Sequence, residues 1–433
     1  MSQPSLSESC IKQETRSTEL NTETNNISVL PVLPRSRSLE QHPGFIQVNA
    51  LRRYAEMTDT PDPFFSQHDA IAGATTLIQG ETFVNFASYN YLGLNGHPRV
   101  SQAAKDAIEQ YGTSVSASRI VSGERPIHQS LESALATLCN TEAALSYVSG
   151  HATNVTAIGY LFGPDDLIIH DKLAHNSILQ GIKLSRADRI GFIHNDLADL
   201  EKRLARMRHK YKTVLIVVEG LYSMDGDFPD LKALVALKEK WGCLLMVDDA
   251  HGLGVLGNRG FGIREHFNLK GSDVDIWTGT LSKTLASAGG YIAGSHALID
   301  NLKFFSPGFL YSVGLPPPNA AASLAALEIL KEEPERVSRL QSISQYFLER
   351  ARDVDMDTGS ARGFAIIPAI VGDPVQAVMI AQHLESFGIH AKPIIYPAVG
   401  DQAARLRFFV CSEHTTQMVD QAIDAWKLAQ AKA

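Results

Sequence analysis

The chain has 433 residues, 44% of them hydrophobic, enough to bury a large core in a main domain with smaller ones attached. A formal net charge of -8 and a pI near 6.0 give no global attraction to nucleic acid or to an anionic membrane. No apolar run is long enough to span a bilayer, the polar, acidic start lacks the apolar core of a signal peptide, and Cys10, Cys139, Cys243 and Cys411 have no metal-ligand spacing. A reducing, cytoplasmic setting is therefore expected.

In chain order, residues 1–44 are rich in Ser, Thr, Asn and Glu and predict a flexible extension. The segment 45–95 holds a short helix at Asn49–Ala55, the Pro61-Asp62-Pro63 break, an alternating strand at Thr82–Phe86, and a turn at Asn90-Tyr91-Leu92-Gly93-Leu94 that leads into a helix over Val100–Tyr111. A large domain is expected over 96–330. There, aliphatic runs at Ala144–Val148, Leu167–His170, Val214–Val218, Leu244–Val247 and Val274–Trp277 alternate with helical stretches. A polar residue follows each run: Ser149, Asp171, Glu219, Asp248 and Thr278. This pattern predicts an α/β fold, a mainly parallel sheet flanked by helices, with ligands beyond the carboxyl ends of the strands. Residues 331–433, past the Pro316-Pro317-Pro318 break, predict a small α+β C-terminal domain.

The polar residues at those strand ends carry the chemistry. Lys283, in Thr280-Leu281-Ser282-Lys283, follows two segments that make sense as a cradle around an amine: Glu219–Asp227 and Val247-Asp248-Asp249-Ala250-His251. Pyridoxal 5'-phosphate (PLP) requires a lysine for a Schiff base, an anion at its ring nitrogen, and donors for its hydroxyl and phosphate. Asp248 ends an apolar strand, where a carboxylate can pair with a pyridinium, although an isolated Asp there is more often a turn or cap. His251 and Ser223 are placed for the ring hydroxyl or phosphate region. Ser149-Gly150-His151 follows another strand and begins a helix whose amides can meet a phosphate, or simply cap the helix. His175 is placed either to stack on a pyridine ring or to sit in a helix-capping segment. Arg405 and Arg407 alternate on one strand face, either as a fork for carboxylate or as two solvated side chains.

Two further patterns carry less. Gly252-Leu253-Gly254-Val255-Leu256-Gly257 matches a dinucleotide fingerprint, but Asp248–His251 intervene after the strand and no helix continues, so these glycines predict loop geometry. Asp225-Gly226-Asp227 lacks the downstream spacing of a calcium loop and predicts a turn.

Taken in order, Asn90–Leu94, Glu219–Asp227, Asp248–Gly252, and Thr280–Lys283 with Gly289-Gly290-Tyr291 resemble the α-oxoamine synthases among the fold-type I PLP enzymes. The resemblance runs from about Asn85 to the C-terminus. Details such as His194-Asn195-Asp196 look closest to serine palmitoyltransferase and to synthases attached to polyketide pathways. It implies Lys283 as the Schiff-base lysine, Asp248 as the pyridinium partner, His251 and Ser223 as ring-hydroxyl contacts, and His175 as the stacking histidine. Gly150, His151 and Thr280 would hold the phosphate, Ser312 would reach the partner subunit's phosphate, and Asn90 and Arg407 would bind the amino-acid carboxylate. The implied protein is a homodimer that condenses an amino acid with an acyl thioester, on coenzyme A or an acyl-carrier protein, with loss of carbon dioxide. An aminotransferase of the same fold is the alternative. Tyr111–Arg119 and Ala398-Val399-Gly400 depart from the family's usual patterns.

Overall fold

The computed structural model describes residues 38–57, 63–400 and 402–433, so most of the extension expected over 1–44 lies outside the described residues. The chain divides into two compact units between Asp62 and Pro63. In the first, a 3-10 turn at Leu39–Gln41 precedes helix α1 (Pro43–Met57), which contains the expected Asn49–Ala55 helix.

The second unit is built on a seven-stranded sheet of β3 (Ala143–Tyr147), β4 (Asp166–Asp171), β5 (Asp188–Phe192), β6 (Thr213–Glu219), β7 (Leu244–Asp248), β8 (Ile276–Thr280) and β9 (Gly290–Gly294). The spatial order is β3-β9-β8-β7-β6-β4-β5, and only β9 runs against its neighbours. Alternate residues feed two cores. Leu167, Ile169, Val214, Ile216 and Val247 join one, while Ile168, Leu215, Val217 and Met246 join the other. A strand buried on both faces must be apolar throughout, as Val214–Val218 is, and each such side chain contributes about 1.5–3 kcal/mol on burial. The strand expected at Val274–Trp277 begins two residues later. Lys270–Val274 closes a tight turn in which Asp273 accepts the Lys270 N–H (2.8 Å), and the Trp277 indole donates to the Gly271 carbonyl (2.9 Å).

Helices cover both faces. Of these, α2 (Pro98–Tyr111) has Pro98 in its first turn and a His97 cap, and α3 (Pro126–Cys139) packs beneath β3. Helix α4 (Gly150–Leu161) is capped by Ser149, whose hydroxyl accepts the Ala152 N–H (3.4 Å), and α5 (Asn176–Ser185) starts at His175. Two small sheets complete the unit. One pairs β1 (Thr75–Ile78) with β2 (Glu81–Asn85), and β2 with β11 (Ile389–His390), joining residues before 96 to residues beyond 331. The other, in the order β10-β13-β12, comprises β10 (Ile366–Gly372), β12 (Lys392–Ile394) and β13 (Ala404–Phe409). Among the described residues no helix is long and apolar enough to cross a membrane, and no group of side chains could hold a metal ion.

Candidate active site

Parallel strands β4, β6, β7 and β8 deliver their polar ends to one edge of the sheet. Asp248, the last residue of β7, is buried; its Oδ2 accepts from Asn154 Nδ2 (2.6 Å) and its Oδ1 from the Ala250 N–H (3.1 Å). Lys283 lies three residues past β8, with its Nζ 5.6 Å from the Tyr89 ring centroid. Burial pushes its ammonium down to about 8, against the pull of Asp248 and Glu219 and with a push from Arg407. Glu219, ending β6, is raised well above the usual carboxylate range by burial and by Asp248, although the His175 N–H donates to it. Its carboxyl is thus kept neutral.

Both histidines stay neutral. His251 is buried and held well below its ordinary value by desolvation, then by Lys283, Arg407 and His175. Its Nδ1 meets the Tyr91 hydroxyl at 2.7 Å, leaving Nε2 open. His175 Nδ1 caps α5 through the Ser177 N–H (3.2 Å) and hydroxyl (2.7 Å), and its ring is held below its ordinary value by desolvation against the pull of Asp248 and with a push from Lys283. The His151 ring is 6.4 Å from that of His175. Gly150 opens α4, so its N–H and that of His151 have no acceptor within the helix. A Cβ on Gly150 would stand 3.0 Å from Thr280 Oγ1. This close approach of α4 to the β8 loop leaves room for backbone only.

Arg405 and Arg407 point the same way from β13 and both are buried, which removes the solvated-face reading. Arg405 pairs with Asp225 (2.8 Å) and the Met224 carbonyl (3.0 Å). Arg407 donates to the Ser223 carbonyl (2.8 Å) and the Tyr89 hydroxyl (3.3 Å), its Nε has no partner, and no carboxylate pairs with it among the described residues. Asn90 is buried, held through the Asn95 N–H (3.0 Å) and the Ala72 carbonyl (3.3 Å), and lines with Lys283, Tyr89 and Ser282 a cavity of about 320 Å³. Ser223 is buried at the loop beneath Arg407. Ser312 stands apart, in a loop between the exposed Tyr311 and Val313, its hydroxyl donating to the Val313 carbonyl (3.2 Å). Asn154, Tyr91, Tyr89 and Glu219 join the cluster with no role foreseen from sequence; the only signals are polar residues inside otherwise apolar or motif segments.

These residues fit PLP. A buried acid stands opposite a lysine with a lowered pKa, a helix start meets a threonine hydroxyl, and an imidazole stands beside both acid and amine. Comparison with known proteins agrees. The model of the family described as Aminotransferase class I and II matches residues 81–425. The 8-amino-7-oxononanoate synthase of Thermoanaerobacter pseudethanolicus is 40% identical over 356 residues, covering 82% of this chain and 90% of the relative. That of Treponema denticola is 41% identical over 350 residues, or 81% and 88%. The chain belongs to the α-oxoamine synthase family. Among solved structures, the synthase resembles a serine palmitoyltransferase from S. paucimobilis with PLP-myriocin bound, at TM-score 0.87 and 28% identity over 92% of this chain and 99% of that one. An 8-amino-7-oxononanoate synthase from Francisella tularensis gives TM-score 0.70 at 26% identity, over 81% and 98%. The protein is a PLP-dependent C-acyltransferase that condenses an amino acid with an acyl thioester and loses carbon dioxide, leaving an α-amino ketone.

Proposed function

We propose that Lys283, Asp248, His175, His251 and Arg407 divide this reaction among them. When bound, PLP supplies an electron-withdrawing ring that delocalises the electron pair released at the amino acid's α-carbon. Lys283 Nζ takes the α-proton, which an amine titrating near 8 can do at neutral pH. Asp248, oriented by Asn154, would pair with the ring nitrogen and favour its protonated form. With Tyr91 donating to Nδ1, His251 keeps an N–H on Nε2 for the ring hydroxyl, which the Ser223 hydroxyl also serves. His175 would cover the ring face. The Gly150 and His151 amides and the Thr280 hydroxyl would hold the phosphate. Arg407 and Asn90 receive the amino-acid carboxylate.

Arg407 carries the reading. A buried guanidinium without a carboxylate partner is costly unless an anion completes it, and the Tyr89 ring lies beside both this group and Lys283. The name 8-amino-7-oxononanoate describes an amino group beside a ketone with one further carbon, the product expected of alanine and a seven-carbon acyl group ending in carboxylate. Alanine is therefore the first amino acid to test, with serine the second in view of the serine palmitoyltransferase neighbours. Exposed Tyr311 and Val313 around Ser312, and Ile120 and Val121 on a turn linked to this loop by the Gly314 N–H to the Ala117 carbonyl (3.1 Å), suit an interface with a second copy, so we read the enzyme as a homodimer. The buried free thiols of Cys139, Cys243 and Cys411 suit a reducing cytoplasm. The test is Arg407→Ala. Its amino-acid dissociation constant should rise about 10- to 150-fold, the weight of a hydrogen bond to a charged group, with PLP retention unchanged. Equal loss of both would make Arg407 a structural group.

A further inference from the structure

His194 follows β5 and lies outside the cluster around Lys283, yet both its ring nitrogens are engaged. Nδ1 is 2.9 Å from Asp171 Oδ1, and Nε2 is 3.0 and 3.2 Å from the two oxygens of Asp227. A carboxylate oxygen accepts, so pairing with both acids calls for an N–H on each nitrogen, that is, an imidazolium; Asn195 Nδ2 also lies 3.2 Å from Nε2. Burial alone would lower its pKa, but hydrogen bonds and charge from Asp171 and Asp227 raise it to about 10. Both carboxylates are buried. Asp171 also takes the Leu173 N–H (2.8 Å) and the Asn195 N–H (3.0 Å), and Asn195 Nδ2 reaches Asp227 (3.2 Å).

Three segments meet at this ring. Asp171 ends β4 and starts the four-residue passage to His175, where its carbonyl accepts the Ala174 N–H (3.1 Å). The turn after β5 supplies His194 and Asn195. Asp227 closes the loop 222–227, whose Tyr222 N–H donates to the Asp227 carbonyl (2.8 Å) and whose Gly226 N–H donates to the Tyr222 carbonyl (2.9 Å). The Tyr222 ring packs edge-on to His194 at 4.5 Å. The next residue, Ser223, offers the carbonyl that holds Arg407.

We propose that the His194 imidazolium is a positioning residue that ties Asp171 to Asp227 and so sets the Ser223 carbonyl, and through it the pose in which Arg407 meets the amino-acid carboxylate. Without the cation, two buried carboxylates are left on either side of a neutral side chain, and the loop that orients Arg407 keeps its Arg405 contacts but loses its tie to Asp171. The inference rests on reading Arg407 as the carboxylate fork.

The experiment titrates holoenzymes with alanine, glycine and serine, following cofactor absorbance, for the wild type, His194→Gln, Arg407→Ala and the double variant. Asp227→Asn is the second single variant, in case His194→Gln does not fold. His194→Gln should retain PLP and native circular dichroism and raise the amino-acid dissociation constant about tenfold. The KM for the amino acid should rise while that for the acyl thioester stays the same. The double variant should bind no more weakly than Arg407→Ala alone, because the two act through one contact. Asp227→Asn should move amino-acid binding in the same direction. Wild-type affinity in both folded single variants, or additive losses in the double variant, would overturn the proposal. A normal dissociation constant in Arg407→Ala would instead overturn the reading of Arg407 itself.

Discussion

At the carboxyl ends of the central sheet, acids and bases already have protein partners: Asp248 has Asn154 and the Ala250 N–H, His251 has Tyr91, and His175 has Ser177. On the small sheet, β13 presents Arg407 with carbonyl, thioether and hydroxyl contacts and, among the described residues, no carboxylate. The first region is prebuilt for a resident cofactor, whose partners must be in place before substrate arrives. The second is left one anion short, as suits a substrate that comes and goes. Arg405, two residues away on the same face, shows that the shortage is specific to one position, since Asp225 completes it.

The largest expected effect comes from the first region. Lys283→Ala should abolish turnover and the borohydride-reducible cofactor linkage with the fold intact, as read by activity, reduction and circular dichroism. Reduction-dependent labelling at another lysine would move the assignment. Asp248→Asn keeps the shape and removes the charge, and should lower kcat by about 10²–10³, the scale of losing one preorganised electrostatic contact. An unchanged kcat would leave Asp248 as a strand-end turn.

Contrast within the second region sharpens the comparison. Arg405→Ala should cost about 1–3 kcal/mol of stability in denaturant unfolding, because it leaves Asp225 unpaired. Its effect on amino-acid affinity should be smaller than that of Arg407→Ala, and the reverse order would exchange their roles. The smallest effect concerns pH. In the apoprotein Lys283 titrates near 8, below its ordinary 10.5, so its neutral form dominates from pH 8 upward. A folded pKa below the unfolded one means the unfolded chain holds more protons between about 8 and 10.5, so this residue adds stability as pH rises through that window. Competitive acylation of the apoprotein, mapped by mass spectrometry, should give Lys283 a midpoint near 8; a midpoint near 10.5 would contradict the burial argument.

The parallel strands β4, β6, β7 and β8 are legible in the sequence because each is an apolar run ending at a polar residue, and those ends carry Asp248 and lead to His251, His175 and Lys283. Strands β5 and β9 are not, since Asp188-Arg189-Ile190-Gly191-Phe192 at the edge and Gly290-Tyr291-Ile292-Ala293-Gly294 lack such a run. The links between the site's members are also invisible locally. Asn154 reaches Asp248 across 94 residues and Tyr91 reaches His251 across 160, contacts that only the assembled fold creates. Strand alternation places Arg405 and Arg407 on one face but cannot distinguish them; the fold of the loop 222–227 decides which one is paired.

Carboxyl-labelled amino acid tests the central claim most directly. Both a synthase and an aminotransferase can take a proton from the α-carbon, and they part at the fate of the electron pair left there. With carboxyl-labelled alanine, serine or glycine alone, the enzyme should form no stoichiometric keto acid. Adding short and long acyl thioesters, on coenzyme A and on a carrier protein, should release labelled carbon dioxide and free thiol in equal amounts with at least one pair. Efficient keto-acid formation without a thioester, and no labelled carbon dioxide with any donor, would contradict the account.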